Sequence, residues 1–127
     1  MNVKEINNYY AEAREKWGNT SEYKEYEKKS ENRTKQEFGE INNRFMNIFS
    51  ELGKLKHLAI EDEKVQGKIK ELQQFITENY YNCTNEIIYS LGRMYINDER
   101  FRNSIDKAGG EGTAKFVYEA ISVYCSK

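Results

Sequence analysis

Proline is absent from the 127-residue chain, and only one histidine and two cysteines occur in it. Without proline rings, nothing in the covalent structure interrupts a helix, so a helical protein is the first expectation. The single histidine, His57, excludes a metal site built from several histidines, and no metal or other cofactor is expected. Because His57 stands in a charged stretch, we expect its side chain to be solvated.

Long apolar runs are also missing, since charged residues break every apolar stretch. This pattern excludes a membrane span, and residues 1–20 lack the apolar stretch of a signal peptide. The low number of cysteines fits a reducing compartment, in which a disulfide would not persist. We therefore expect a soluble, cytoplasmic protein that does not contact a membrane.

Charge of neither sign dominates, because 20 basic and 21 acidic residues leave a formal net charge of −1. A protein that holds a phosphate backbone needs an excess of positive charge, so this chain by itself is not expected to contact DNA or RNA. Glycine-rich phosphate-binding signatures are missing as well. Carboxylate clusters such as residues 61–63 are typical of exposed surface. The sequence thus predicts that the chain is not an enzyme.

Apolar residues recur at helical spacing along most of the chain, and no stretch alternates for long with the two-residue period of a strand. The first apolar stripe, in residues 3–17, has an average period of about 3.5 residues, which also suits a coiled-coil seam. The pattern predicts a single all-α domain with six or seven helices. The clearest helices are predicted over residues 34–53, 65–81, 84–96, about 98–105, and 113–124. Thr34 and Glu37 predict a capping box at the start of the first of these, and Asn97 or Asp98 can cap the fourth.

Residues 19–33 differ from the other predicted helices because they hold little to bury. Thr20 or Ser21 can cap a helix here, but Tyr23 and Tyr26 are the only apolar side chains of the segment. Most helical stability in proteins comes from packing an apolar face. This segment is therefore predicted to be the least stable part of the chain.

Two small residues, one next to and one inside the predicted helix 84–96, need an explanation. Cys83 stands at its start, where unpaired N–H groups and the helix dipole favour a thiolate, although Glu86 opposes that effect. A small buried hydrophobe is the alternative interpretation of Cys83. Gly92, in the helix interior, costs about 1 kcal/mol relative to alanine. We expect the close approach of another helix, or of a ligand, to offset that cost.

Three stretches carry a resemblance to a known family: “EKWGNTSEYKEYEKKS”, “NCTNEIIYSLGRMYINDERFRNSID” and “AKFVYEAISVYC”. Together they resemble the TipAS-type effector domain, the antibiotic-recognition domain at the C-terminus of a subgroup of MerR-family transcription activators. The matching features occur in order within residues 10–125. They are Trp17-Gly18, Thr20, Tyr23-Lys24, Ser30, Thr34-Lys35, Leu91-Gly92, Met94-Tyr95 and Arg100-Phe101.

The resemblance implies a globin-like all-α fold with a cleft for bulky, largely apolar antibiotics such as thiopeptides. It implies a drug-sensing effector domain over residues 1–127 that relays binding to a MerR-type DNA-binding domain outside this chain. A homodimer would form through the parent regulator, with residues 1–17 as the end of its dimerisation helix. Two alternatives remain: a free-standing protein that sequesters an antibiotic, and a helical module that binds another protein.

The resemblance also suggests which side chains meet the ligand. Some thiopeptides carry dehydroalanines that a thiol can attack, and Cys83 stands where such a cysteine is expected. Binding would order the first 33 residues against the rest of the domain. An ordinary core position is the alternative for Tyr80, Tyr89 and Tyr95. The predicted ligand-contacting residues are Trp17, Tyr23, Tyr26, Tyr80, Tyr81, Cys83, Tyr89, Met94 and Tyr95.

Overall fold

The computed structural model describes residues 18–127 and contains six α-helices in that range. No strand occurs among these residues, which agrees with the predicted all-α class. Trp17 and the helix predicted over residues 3–17 lie outside the described residues. The helices are α1 (Ser21–Ser30), α2 (Lys35–Lys54), α3 (Glu63–Asn79), α4 (Asn85–Asn97), α5 (Glu99–Gly109) and α6 (Thr113–Ser126).

Side-chain caps begin the helices at positions that the sequence predicts. The hydroxyl of Thr34 accepts a hydrogen bond from the Glu37 backbone N–H, and the Glu37 carboxylate returns to the Thr34 backbone N–H. This reciprocal pair is a capping box. At the start of α5, the Asp98 carboxylate accepts from the Arg100 backbone N–H at 2.9 Å. Such caps satisfy N–H groups that have no partner inside the helix, and both predicted caps are confirmed.

The hydrophobic core lies among α2 to α6, because each of these helices contributes fully or nearly fully buried apolar side chains. Burying one such side chain contributes about 1.5–3 kcal/mol relative to leaving it in water. These helices therefore form one body, which we call the α2–α6 body. Its completely buried apolar residues include Phe49, Leu52, Val65, Ile69, Leu72, Ile88, Ile105, Val117 and Ile121.

Two glycines bring the backbones of α2 and α5 into direct contact. A Cβ atom added to Gly53 would overlap the carbonyl oxygen and the Cα atom of Gly109, so only glycine fits there. A looser contact joins α4 to α6, where a Cβ atom on Gly92 would lie 3.2 Å from Cδ1 of Ile121. The expectation that Gly92 permits the close approach of another helix is confirmed.

Candidate functional site

A continuous series of aromatic rings runs from α1 into the core. Consecutive ring centroids lie between 5.0 and 6.3 Å apart, a separation at which aromatic pairs attract each other. Predicted ligand residues make up half of this aromatic series. Its members are Tyr23, Tyr26, Tyr80, Phe45, Phe75, Phe49, Tyr95 and Phe101.

The outer end of the aromatic series reaches the surface beneath α1. Tyr26 stacks on Tyr80, the residue that follows α3, with ring centroids 5.7 Å apart and planes inclined by 23°. Tyr80 also contacts Phe45 and Phe75, at centroid distances of 6.0 and 6.3 Å. Both Tyr26 and Tyr80 remain partly exposed. A flat apolar group that binds at the surface beside Tyr26 and Tyr80 would therefore contact the outermost rings of the aromatic series.

Charged side chains attach α1 and the following turn to the C-terminal end of α3. Lys29 Nζ donates to the carbonyl of Thr77 at 2.6 Å and lies 3.5 Å from that of Glu78. Arg33 Nη2 donates to the carbonyl of Asn79 at 2.6 Å. The last carbonyls of a helix lack partners inside it, and the negative end of the helix dipole favours cations there. The two cations thus cap α3 while they hold α1 in place.

Among the residues that the structure describes, Glu25 of α1 makes two further contacts. The Glu25 carboxylate accepts from the backbone N–H of Asn82 at 3.0 Å and pairs with Lys29 at 3.7 Å. Tyr23 is the buried residue of this helix, and Thr20 caps its start as predicted. An exposed ion pair contributes at most about 1 kcal/mol. The low stability predicted for residues 19–33 stays a prediction, and this sparse burial supports it.

An open groove with a volume of about 600 Å³ lies between α2 and α3. Its size falls within the roughly 300–1,000 Å³ that small-molecule sites occupy. The guanidinium carbon of Arg44 lies 5.1 Å from the centre of the Phe75 ring, close enough for a cation–π contact. On the α2 side, the groove is lined by Asn43, Arg44, Asn47, Ile48 and Glu51.

The α3 side joins this groove to the aromatic series, because Phe75 belongs to both. Lys68 bridges the two walls by binding Glu51 at 2.5 Å and Glu71 at 3.2 Å. The hydrogen bond to Glu51 raises the pKa of Lys68 against the opposing effect of burial. The α3 wall comprises Glu71, Gln74, Phe75 and Glu78.

Sequence reasoning missed this groove. None of the predicted ligand residues that the structure describes lines it. Its polar residues have the same spacing as those of any solvated helix face, so the sequence pattern of one helix does not indicate a groove. A groove depends on the distance between two helices, which periodicity does not encode.

Cys83 directly precedes Thr84, the cap of α4, as predicted, but it is only 5% exposed. Burial, with a smaller contribution from Cys125, raises the pKa of the Cys83 thiol to about 12. The raised pKa disfavours a thiolate here, because the loss of solvent outweighs the helix dipole. The structure supports the alternative interpretation, a small buried hydrophobe.

The remaining predicted ligand residues have different surroundings. Tyr95 is 1% exposed and occupies a core position. Tyr89 is 37% exposed, and its hydroxyl lies 3.4 Å from that of Tyr118 on α6. Tyr81 and Met94 pack, partly buried, against the core. The structure thus brings together Tyr23, Tyr26 and Tyr80 near α1, whereas Tyr89 pairs with α6.

Other kinds of site find little support in the part of the chain that the structure describes. No group of three or more His, Cys, Asp or Glu side chains within residues 18–127 is placed to hold a metal ion. None of the helices in this range has the length and apolar character needed to cross a bilayer. His57 is exposed between α2 and α3, as predicted.

The described residues thus form a helical body, a first helix that buries one side chain, and an aromatic path between them. Comparison with known families identifies the class of protein. The chain belongs to the TipAS antibiotic-recognition domain family, whose sequence model matches residues 9–124. The family predicted from the sequence is thereby confirmed.

Two curated relatives are transcription regulators. The HTH-type transcriptional activator TipA of Streptomyces coelicolor is 31% identical over 115 residues, which make up 89% of this chain and 45% of TipA. The HTH-type transcriptional activator mta of Bacillus subtilis is 40% identical over 72 residues, or 57% of this chain and 27% of mta. The matched regions thus cover less than half the length of these relatives.

A solved structure has the same fold. TipAS from Streptomyces lividans, in complex with the thiopeptide antibiotic nosiheptide, matches with a TM-score of 0.81 and 30% sequence identity. The match covers 94% of this chain and 85% of that chain. It confirms the predicted fold class.

Proposed function

We propose that this chain is the effector domain of a MerR-type transcription activator and that it binds a bulky, largely apolar antibiotic of the thiopeptide class. The observation that carries the proposal is the Tyr26–Tyr80 stack, where the aromatic series reaches the surface beneath α1. The likeness to TipAS in complex with nosiheptide supports the choice of ligand class.

Recognition is proposed to begin at the outer end of the aromatic series. A flat ring of the antibiotic packs against both Tyr26 and Tyr80, while Tyr23 and Tyr81 contact its edges. Trp17, which precedes α1 in the sequence, adds a further ring. Each Å² of apolar surface removed from water contributes about 25 cal/mol, so a ligand of this size has ample binding energy to position α1.

The relay is proposed to depend on α1. Lys29 and Arg33 hold this helix to α3 through hydrogen bonds to backbone carbonyls. We propose that its attached and detached states differ little in free energy. A ligand that contacts α1 and the α2–α6 body together stabilises the attached state by mass action. The residues before α1 would then transmit the change to a DNA-binding domain in the rest of a longer regulator.

The proposed binding is reversible and involves no catalysis or cofactor. Attack on a dehydroalanine by Cys83 needs a thiolate that reaches the ligand. Burial of the sulfur and its raised pKa both oppose that reaction. We place this activity in the cytoplasm, where the relatives' DNA-binding function would be exercised.

Isothermal titration calorimetry with nosiheptide tests the proposal. We expect binding of one molecule per chain with a negative heat-capacity change, the mark of apolar burial. Tyr26→Ala removes one stacking partner and should weaken binding by about 1–2 kcal/mol. Tyr89→Ala is the matched control, because Tyr89 pairs with Tyr118 instead, and it should leave the affinity unchanged.

Two results would count against this account. Absence of any binding heat contradicts the proposed function. Equal losses for the Tyr26 and Tyr89 variants contradict the placement of the ligand at the aromatic series. Intact-mass spectrometry of the mixture should show the mass of the free chain, and an added mass that is lost in Cys83→Ala would contradict reversible binding.

A further inference from the structure

The groove between α2 and α3 has a regular polar lining to which the proposal above gives no role. On α2, Asn43, Asn47 and Glu51 line the groove at four-residue intervals. Residues at this spacing lie above one another on one face of a helix. A helix rises 1.5 Å per residue, so this row of polar groups is about 12 Å long.

A second row faces it from α3. Glu71, Gln74 and Glu78 line the opposite wall at intervals of three and four residues. Between the rows lie Ile48 and Phe75, which are only 5% and 6% exposed and form a narrow apolar floor. The groove therefore offers two rows of amide and carboxylate groups with an apolar surface between them.

An extended peptide has the complementary pattern. Its N–H and C=O groups point to both sides, and alternate side chains point to one face. Because it advances about 3.3 Å per residue, roughly 12 Å of groove accepts three or four residues. The side-chain amides of Asn43 and Gln74 can donate and accept hydrogen bonds. Within residues 18–127, no hydrogen bond engages either amide, so both are available to a ligand.

The groove also carries an excess of negative charge. Three carboxylates line it, against the single guanidinium of Arg44. The ammonium of Lys68 is shared between Glu51 and Glu71, so one positive charge serves two carboxylates. The Glu78 carboxylate forms no ion pair with any residue that the structure describes.

We propose that the groove between α2 and α3 is a subsite for an extended peptide segment of the ligand that is neutral or positively charged, and that Glu78 determines this charge preference. The inference rests on the proposed function, because the segment belongs to the same peptide antibiotic. The groove and the aromatic series meet at Phe75, so one ligand occupies both. A ligand carboxylate is disfavoured because it faces the groove's like charges.

Two tetrapeptides of equal length test the charge preference without an antibiotic. In NMR titrations of the ¹⁵N-labelled chain, acetyl-Ala-Lys-Ala-Lys amide should shift the side-chain amide signals of Asn43, Asn47 and Gln74. The matched peptide acetyl-Ala-Glu-Ala-Glu amide should leave them in place. Equal shifts with both peptides, or no shift with the lysine peptide, would overturn the proposal.

Two variants locate the preference. Glu78→Gln should weaken binding of the lysine peptide by about two- to fivefold, as expected for one exposed charge pair. It should not harm the fold, since a carboxylate is unfavourable in the last turn of a helix. Glu119→Gln, which changes an exposed residue of α6 outside the groove, should leave the affinity unchanged. Equal losses in the two variants would overturn the assignment to Glu78.

Nosiheptide binding, measured on the same samples, separates the two proposals. Normal nosiheptide binding without the peptide shifts overturns the groove subsite and leaves the proposed function intact. Absence of nosiheptide binding overturns the proposed function, on which this inference rests.

Discussion

The first helix and the α2–α6 body are stabilised by different interactions. α1 buries one side chain, Tyr23, and is attached through Lys29 and Arg33 to backbone carbonyls of α3. By contrast, α3 buries six of its 17 residues, five of which are apolar members of the shared core. Ordering a backbone costs about 1–2 kcal/mol per residue, and α1 has little apolar burial to offset that cost. The body can therefore act as a fixed scaffold, whereas α1 can respond to a ligand.

The largest expected effect is a disruption of the body at the crossing of α2 and α5. Gly53→Ala places a Cβ atom against the backbone of Gly109 and should lower the free energy of unfolding by about 3 kcal/mol, measured by urea denaturation. Gly39→Ala and Gly67→Ala have open space around the new methyl group and should raise stability by up to about 1 kcal/mol. Similar effects at Gly53 and Gly39 would show that the crossing does not constrain the body.

An intermediate effect is expected where α1 is attached. Arg33→Met removes a charged donor to the carbonyl of Asn79 and should lower the free energy of local opening of α1 by about 1–2 kcal/mol. Hydrogen exchange of residues 21–30 measures this opening. Lys24→Met, on the exposed surface of α1, is the control and should have no such effect. If Arg33→Met instead destabilises all helices equally, α1 and the body are one cooperative unit.

A smaller effect concerns pH and belongs to the body. The folded pKa of Cys83 is raised to about 12 from an ordinary value of 9.0, so the unfolded chain releases this proton first. The contribution of Cys83 to stability is therefore complete below pH 9 and is lost as the pH rises towards 12. By pH 10 the loss should be about 1 kcal/mol in urea denaturation. Cys83→Ala should remove this part of the pH dependence, and an unchanged slope would show that the thiol is not buried.

Local structure was predictable from the sequence because it depends on neighbours in the chain. The capping box of Thr34 and Glu37 satisfies local N–H groups, and it stands where the sequence indicated. The third helix, predicted over residues 65–81, occupies Glu63–Asn79. The apolar stripe predicted the presence of this helix correctly. Its two ends differ from the prediction by two residues, because helix ends fray and are weakly marked in a sequence.

The burial of a side chain was less predictable from the sequence where it depends on packing against other helices. The position of Cys83 before α4 followed from the sequence, but its burial depends on contacts with the core and with α6. Tyr89 and Tyr95 were assigned to one cleft wall, yet one is exposed and the other buried. At about 100° per residue, six residues turn a helix by about 240°, so these two rings point in different directions. The different orientations of Tyr89 and Tyr95 could therefore have been predicted from helix geometry.

Hydrogen exchange with and without nosiheptide tests the central claim most directly. At short exchange times, the account predicts that nosiheptide slows exchange in residues 21–33, while the amides of α3 are already protected and change little. The same slowing should be weaker in Tyr26→Ala at equal antibiotic concentration. Bound nosiheptide that leaves exchange in residues 21–33 unchanged would contradict the claim that α1 is the part of this domain that responds to a ligand.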